Sequence, residues 1–571
     1  MRRRSRIAIW TAAVVAAIIV VFVVVIATYD WNRAKPWLDA KVSQAIGRPF
    51  AINGDLSVHW RRDPTGGDWL PGPVFTANDV SVGNPDWAKS GTRFAHLDQI
   101  RFRLSLLPLL ARRIVVPSVQ LGHPGIDLLK RADGKNNWTF KTAGSGQPSR
   151  WKLDLQQIGF DKGTISLDDA PDRVAVKIDV DPLGKPIPFA DVMDDVARSD
   201  ADKATAAKPT QDYYFGWKGS GTFRGSPVRG TGKTGGVLAM RSRTAAFPLQ
   251  ADVHIGAVHI ALTGSLTDIV HLAALDLHLR LAANSMAQLY PIIGVNLPDT
   301  PPFDTQGHLS GRLGDHGSTF KYEDFNGHVG GSDLHGNVTY ATAPPRPKLT
   351  GKLWSNQLQF ADLAPLIGAD SNAEKKQRGD GTPQPAGKVL PVEAFHTERW
   401  KAMDADIGFN GKHILHGKTL PIQDLKAHLL LDNGKLTLDP LNFGVAGGDV
   451  TSTIALNGRT EPMQGKLNLH ARHLKLKQMF PSVQSMRASL GEINGAAALS
   501  GTGNSIATLL GSSNGELKLL IEDGTVSKEL MELAGLNIGN YVLAKLFGDE
   551  PVAINCAATD LVAKDGLMTT R

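Results

Sequence analysis

The chain carries one phrase twice: "FNGHVGGSDLHGNVTY", Phe325 to Tyr340, and "FGVAGGDVTSTIALNG", Phe443 to Gly458. In each, a glycine pair stands where a hairpin turns, and the strand beyond it alternates. In the second copy Val450, Ile454 and Leu456 fall on one side and Thr451, Thr453 and Asn457 on the other. That is the period of two that a half-buried strand requires. A unit with one apolar face cannot bury it alone, so copies must stack on one another or be covered. The residues assigned to this face are Leu334, Val338, Tyr340, Leu436, Leu438, Val450, Ile454 and Leu456.

The repeat extends beyond the glycine pairs. In "LRLAANSMAQLYPIIG", "LWSNQLQFADLAPLIG" and "LHARHLKLKQMFPSV" an apolar strand runs into a short amphipathic turn closing at Pro291, Pro365 and Pro481. Each unit reads as a strand ladder capped by a short helix, and both glycine-pair phrases are followed by Gly-Lys-Leu, at Gly351 and Gly465. A polar insertion around Gly368 to Pro391 accounts for the unequal spacing. At 571 residues the chain is too long for one core. Its 59 glycines and 33 prolines supply turns for many short strands. If about 25 strands paired in sequence at ~4.8 Å each, one sheet would be on the order of 120 Å long. Two arrangements satisfy this alternation: sheets packed as sandwiches, or a curled sheet whose apolar face remains an open trough. Periodicity does not choose between them.

The amino terminus sets topology. Arg2, Arg3, Arg4 and Arg6 precede an uncharged stretch, Ile7 to Thr28. At ~1.5 Å per residue this stretch spans a hydrocarbon core of ~30 Å. A cleavable signal peptide has an apolar region of only about 7–15 residues, and "IATYDW" offers no small-x-small cleavage site, so a retained anchor is expected. The arginines hold the amino terminus in the cytoplasm and place the body across the membrane. The expected organisation is a cytoplasmic tail (1–6), a transmembrane anchor (7–28), an amino-terminal β-repeat region (29–367), a disordered linker or insertion (368–391) and a carboxy-terminal β-repeat region (392–571). Just after the anchor, Pro36 to Ile46 reads as a short helix closed by Gly47, followed by a strand from Phe50. Lys141 to Arg150 and roughly Val196 to Gln211 read as disordered by composition, as does Gly368 to Pro391.

Chemistry is sparse. In "RGTGKTGG" the sequence Gly232-Lys233-Thr234 ends like a phosphate-binding loop, but Pro227 stands where its first glycine belongs. Histidines gather at His254, His259, His271 and His278 without metal-ligand spacing, and on alternating strands they are expected to line a solvent face. Asp168-Asp169 lie in turn-like text, and "NWT" at Asn137 is a formal glycosylation sequon. The single cysteine, Cys556, excludes an internal disulfide. A net charge of +7, four of it at the extreme amino terminus, leaves no nucleic-acid footprint. No catalytic residue, cofactor or metal site is assigned, and no enzyme is expected.

The chain resembles the AsmA family of envelope proteins of Gram-negative bacteria. The resemblance rests on "AIGRPFAINGDLSV", "DVSVGNPDW", "LLPLLARRIVVPSVQLGHPGIDLLKRADGKNNWTF", "LYPIIGVNLPDTPPFDTQGHLSG" and the closing "GELKLLIEDGTVSKELMELAGLNIGNYVLAKLFGDEPVAINCAATDLVAKDGLMTTR". Family sequences usually continue past the equivalent of "KDGLMTTR", so a fragment or a shortened member is expected. The resemblance implies a mainly β protein: an inner-membrane helix followed by an extended, repeat-built antiparallel sheet curled into a groove in the periplasm, with a few short helices. It also implies phospholipids and membrane as partners, and a part in phospholipid movement toward the outer membrane and in outer-membrane assembly. A non-catalytic factor that docks envelope proteins is the alternative. On either reading the helix from Pro36 gates lipid entry at the membrane surface or caps the first sheet edge.

Overall fold

Period-two alternation becomes strand almost throughout: the protein is mainly β, mostly antiparallel, with few helices. The computed structural model describes residues 28–61, 72–88, 92–105, 108, 113–140, 152–155, 157–183, 187–188, 213–235, 246–268, 273–314, 317–379, 382–415, 422–479, 490–527 and 551–571. The expected tail (1–6), the anchor as far as residue 27, and the polar stretches 141–150 and 196–211 lie outside the described residues. Among the described residues no helix is long and apolar enough to cross a membrane. The chain divides into two compact units, Met1–Gly256 with Ser265–His271, and Ala257–Gly264 with Leu272–Arg571. The division falls near residue 257.

In the amino-terminal unit, helix α1 (Lys35–Ile46) carries Pro36 in its first turn and stops at Gly47, whose φ of 65° is left-handed. Its side chains serve the edge strand Phe50–Ile52. Ser43 Oγ accepts the Phe50 N–H at 2.8 Å, and Asp39 Oδ1 accepts the Ile52 N–H at 3.1 Å. Just before α1, Asn32 Oδ1 accepts the Leu56 N–H at 3.0 Å. These amides would otherwise sit unpaired at a sheet edge. Leu38 and Trp31 pack on Ile52, Leu56, Ala77 and Val80. Of the two sequence readings of this helix, its contacts are those of an edge cap.

In the carboxy-terminal unit fourteen strands are numbered in chain order. They are β1 (Ala274–Ala283), β2 (Phe303–Arg312), β3 (Thr319–Val329), β4 (Ser332–Ala341), β5 (Lys348–Gln359), β6 (Asp404–Leu415) and β7 (Ile422–Asp432). There follow β8 (Lys435–Val445), β9 (Gly448–Asn457), β10 (Gln464–Lys475), β11 (Leu490–Thr502), β12 (Asn514–Ser527), β13 (Pro551–Lys564) and β14 (Leu567–Thr570). Each pairs with the next. All pairs are antiparallel except β5 and β6, which run parallel. The repeat is visible in the connections: β1, β5 and β10 each lead into a short helix, at Met286–Leu289, Phe360–Ile367 and Leu476–Met479.

The glycine pairs are hairpin corners. Gly330 (φ 60°) and Gly331 join β3 to β4, and a Cβ on Gly331 would lie 2.0 Å from the Gln359 side chain. In the second copy the corner sits one residue earlier, on Ala446 (φ 50°) and Gly447 (φ 74°), and Gly448 already begins β9. Gly448 is needed for a different reason: a Cβ there would fall 2.2 Å from the Arg472 carbonyl. β-Bulges recur as well. Asp324, Asp424 and His473, with φ of 50°, 51° and 57°, sit at register shifts in β3, β7 and β10. The N–H groups of Asp324 and His473 donate to the Asn337 and Asn494 side chains, at 2.7 and 3.0 Å.

The one parallel pair demands a long crossover, because β6 must start at the end where β5 started. That crossover contains residues 368–391, expected to be a disordered linker; instead the described residues 368–379 fold. Helix α2 (Asn372–Arg378) carries a full capping box between Ser371 and Glu374. Behind it Lys375, Arg378, Asp370 and Glu393 are buried, at 1, 6, 5 and 7% exposure. Arg378 donates to Asp370 (2.8 Å) and Glu393 (2.6 Å) and lies 3.4 Å from Asp299. Lys375 donates to the Gly368 carbonyl at 2.8 Å and to the Glu393 carboxylate. Burial by itself lowers the guanidinium's pKa; the hydrogen bonds to Asp370 and Glu393 overcome it and raise the pKa above its ordinary value. Composition misled because these charges are spent on one another, not on water.

Asp333 holds the far end of β5. It accepts the Gln357 and Asn356 N–H groups at 2.7 and 3.1 Å and the Ser355 hydroxyl at 2.9 Å. Burial would raise its pKa, but these bonds hold it well below the ordinary carboxylate range.

Two outcomes follow. Glu393→Gln or Arg378→Met leaves a buried charge uncompensated and should cost about 3–5 kcal/mol. This is read as a lower urea midpoint and faster hydrogen exchange across 368–393; unchanged exchange would remove the network from its structural role. For Asp333 the folded pKa lies below the unfolded one, so its contribution is full above about pH 4 and is lost as pH falls through the folded value. Asp333→Asn should lower stability between pH 6 and 8 and flatten its acid limb, so that the difference from the parent protein shrinks as pH falls below about 4, measured by urea unfolding at stepped pH.

Candidate functional site: the apolar face of the carboxy-terminal sheet

Register turns six of the eight assigned residues into two rows on one face. Val338 lies opposite Gly351, Gly351 opposite Ile407, Ile407 opposite Leu429, and Leu429 opposite Leu438. The row continues through Ile454, Leu467 and Leu499 to Gly515. A second row beside it runs Tyr340, Leu349, Ala405, Leu431, Leu436, Leu456, Gly465. The opposite face, one residue away, reads Thr339, Thr350, Asp406, Leu430, Thr437, Ala455, Lys466, Ser500. One face is aliphatic and the other mostly polar across β4 to β11.

The faces survive because of the bulges. β8 pairs Leu438 with Ile454 and then Leu441 with Ser452, skipping Asp439 and Pro440. Leu436 and Leu438 are even-numbered and Leu441 and Phe443 odd, yet all four stay on the apolar side. In β3 the shift between Tyr322 and Phe325 does the same, and the two rings stack at 4.9 Å.

Burial divides the eight residues by position along the strand. Tyr340, Val338 and Leu436 pack on a buried cluster of Val295, Leu349, Met403, Ala405 and Leu431. At that same end Leu509, from the helix Ile506–Gly511, sits over Gly465 beside Leu456; a Cβ on Gly465 would meet these leucines at 2.9 and 3.3 Å. At the other end Val450, 6% exposed, belongs to a cluster with Ala471 and Leu474. Between the ends, Leu438 and Ile454 with their neighbours Leu467 and Leu499 are half-buried and belong to none of the buried clusters of the described residues. Leu334, opposite Gly327, is half-buried too. Leu467 and Leu499 were not singled out from sequence; the alternation in "GKLNLHA" and "AAALSG" carries the signal, but only register shows that they adjoin Ile454.

The weak motifs resolve into structure. Arg229–Thr234 is strand, and a Cβ on Gly232 would lie 2.1 Å from the Gln250 carbonyl, so that glycine serves close strand approach and not a phosphate. His278 is exposed beside His308, which bonds Asp276 at 2.7 Å, while His271 lies outside the described residues. Asn137 of the sequon is fully buried and Cys556 is exposed. Asp168 and Asp169 end a strand, Gly163–Asp169, and only Asp169 is paired, to Lys130 at 3.0 Å.

The AsmA family model matches residues 1–571. The chain is 45% identical over 577 aligned positions to the AsmA family protein YhjG of Escherichia coli (strain K12), covering 98% of this chain and 83% of that protein. No solved structure matches.

If the middle of the face is open, Ile454→Thr in lipid-free protein should cost under about 1 kcal/mol, whereas Val450→Thr, which buries a hydroxyl, should cost about 1–3 kcal/mol. Urea unfolding midpoints at constant m-value compare the two. Equal costs would mean that the middle of the face is as closed as its ends.

Proposed function

The chain belongs to the AsmA family, and from that premise we propose that it is an envelope protein that carries phospholipid toward the outer membrane, holding acyl chains on the apolar face of its carboxy-terminal sheet as in a groove. The observation that carries this reading is the strip Leu438, Ile454, Leu467 and Leu499: four adjoining aliphatic side chains, half-buried, between closed ends. Full burial of each such side chain is worth about 1.5–3 kcal/mol, and an acyl chain supplies it at ~0.8 kcal/mol per CH₂. An alkyl chain lying across the strands meets a fresh apolar side chain every ~4.8 Å, so any section of it finds equivalent support. Such a surface holds by contact area and needs no bond-making residue. Residues 7–28 are proposed to anchor the chain in the inner membrane with the body in the periplasm, which brings the sheet to a lipid source.

Photoreactive residues at Ile454 and Leu467 should yield phospholipid adducts in cells, while the same probe at Thr453 or Asn337, on the polar face, and at Val450, inside the end cluster, should not. Adducts to protein alone at Ile454 would support a docking factor for envelope proteins in place of lipid carriage; equal lipid labelling on both faces would also defeat the proposal.

A further inference from the structure

A cleft of about 540 Å³ opens in the amino-terminal unit, within the range of small-molecule sites. Three neighbouring strands build it. His96 lies opposite Gly125, and its ring is so close that a Cβ on Gly125 would fall 2.0 Å from it. Asp127 lies opposite Ser166, whose hydroxyl donates to the Asp127 carboxylate, and Asp168 follows two residues on, along the same face. Arg93, three residues before His96, closes the other side. The wall is pre-set from behind by the fully buried Asn137, which donates to Asn84 Oδ1 at 2.8 Å and to the Asp127 carbonyl at 2.7 Å, and accepts the Leu129 N–H at 2.8 Å. Asn84 in turn donates to Thr92 at 2.9 Å.

The walls are ordered but the charges are not used up. Among the described residues Asp168 and the His96 ring have no hydrogen-bond or ion-pair partner. Arg93 has only Asp79 at 3.9 Å, with both side chains more than half exposed, an interaction of little strength. The cleft thus offers a guanidinium and an imidazole at one side and two carboxylates at the other. A simple anion would be repelled by Asp127 and Asp168, and a simple cation by Arg93. We propose that the cleft binds a small zwitterion carrying a phosphate ester and a primary ammonium, the phosphoethanolamine class, with phosphate on Arg93 and His96 and ammonium on Asp168 and Asp127. The assignment does not depend on acyl chains occupying the other unit's apolar face.

The test titrates the full chain, in phosphatidylglycerol nanodiscs, with sn-glycero-3-phosphoethanolamine by calorimetry; sn-glycero-3-phosphate and ethanolamine serve as single-ended probes. Saturable binding at least about tenfold tighter than to either single-ended probe is expected, as is a loss of about tenfold in each of Asp168→Asn and Arg93→Gln. Asp168→Asn should erase the preference over glycerol phosphate, and Arg93→Gln the preference over ethanolamine. Both positions are exposed, so circular dichroism should be unchanged. No saturable heat, equal affinity for glycerol phosphate, or full binding by the double variant overturns the assignment. Repeating the titration in phosphatidylethanolamine nanodiscs distinguishes the sources. Competition there assigns the occupant to a lipid headgroup, and undiminished binding assigns it to the soluble ester; the site stands in both cases.

Discussion

Everything in the carboxy-terminal unit depends on cross-strand register. A slip of one residue would move every side chain of a strand to the other face. Across β4 to β11 the partners of Val338 are glycine or aliphatic without exception, and those of Thr339 are mostly polar. Long strands twist and drift, and the bulges at Asp324, Asp424 and His473 absorb that drift by taking one residue out of the ladder. Aspartate tolerates the left-handed conformation better than most residues. In two of the three bulges a neighbouring asparagine accepts the freed N–H, so no backbone donor is stranded there.

The parallel junction between β5 and β6 is the one break in this scheme, and it explains the least repetitive text in the chain. A parallel partner cannot be reached by a two-residue turn, so the return path must be long and must itself be folded if the ends of the rows are to stay closed. Its charged residues form a buried network whose value lies in fixing one path: an ion pair out of water adds little net stability, but each member is costly to remove. The same path brings Trp400 and Met403 against the ends of the rows at Leu349 and Ala405. The segment with the least repeat character thereby closes one end of the repeat's apolar face.

Much of this was legible beforehand. The alternation in the two glycine-pair phrases placed six of the eight assigned residues on one face, Leu436 and Leu438 lying in the strand before the second phrase, and Gly47 marked the end of α1 because only a left-handed residue ends it so tightly. What escaped the sequence is what long-range pairing decides. The parity of Leu436 and Leu441 looks inconsistent until the bulge at Asp439 and Pro440 is seen. Polar text from 368 to 391 reads as solvated because composition carries no record of which charges meet. The cleft residues escaped for the same reason: Arg93, Asp127 and Asp168 are distant in sequence and come together only because the strand Gly125–Lys130 pairs with both of its neighbours.

The glycine-pair phrase itself carries a distinction that periodicity cannot express. Val450 and Ile454 share a strand and a face, so alternation treats them alike. Yet Val450 lies three residues from its corner, within the cluster that closes the strand end, while Ile454 lies four residues further on, where no buried cluster reaches. Parity decides which face a side chain joins; distance from the capped end decides whether that side chain joins a buried cluster or stays half-buried. In a sheet capped at both ends by short helices and crossovers, the residues left outside the buried clusters are those at mid-strand. The repeat therefore sets their number by how many strands it adds, and not by any single position.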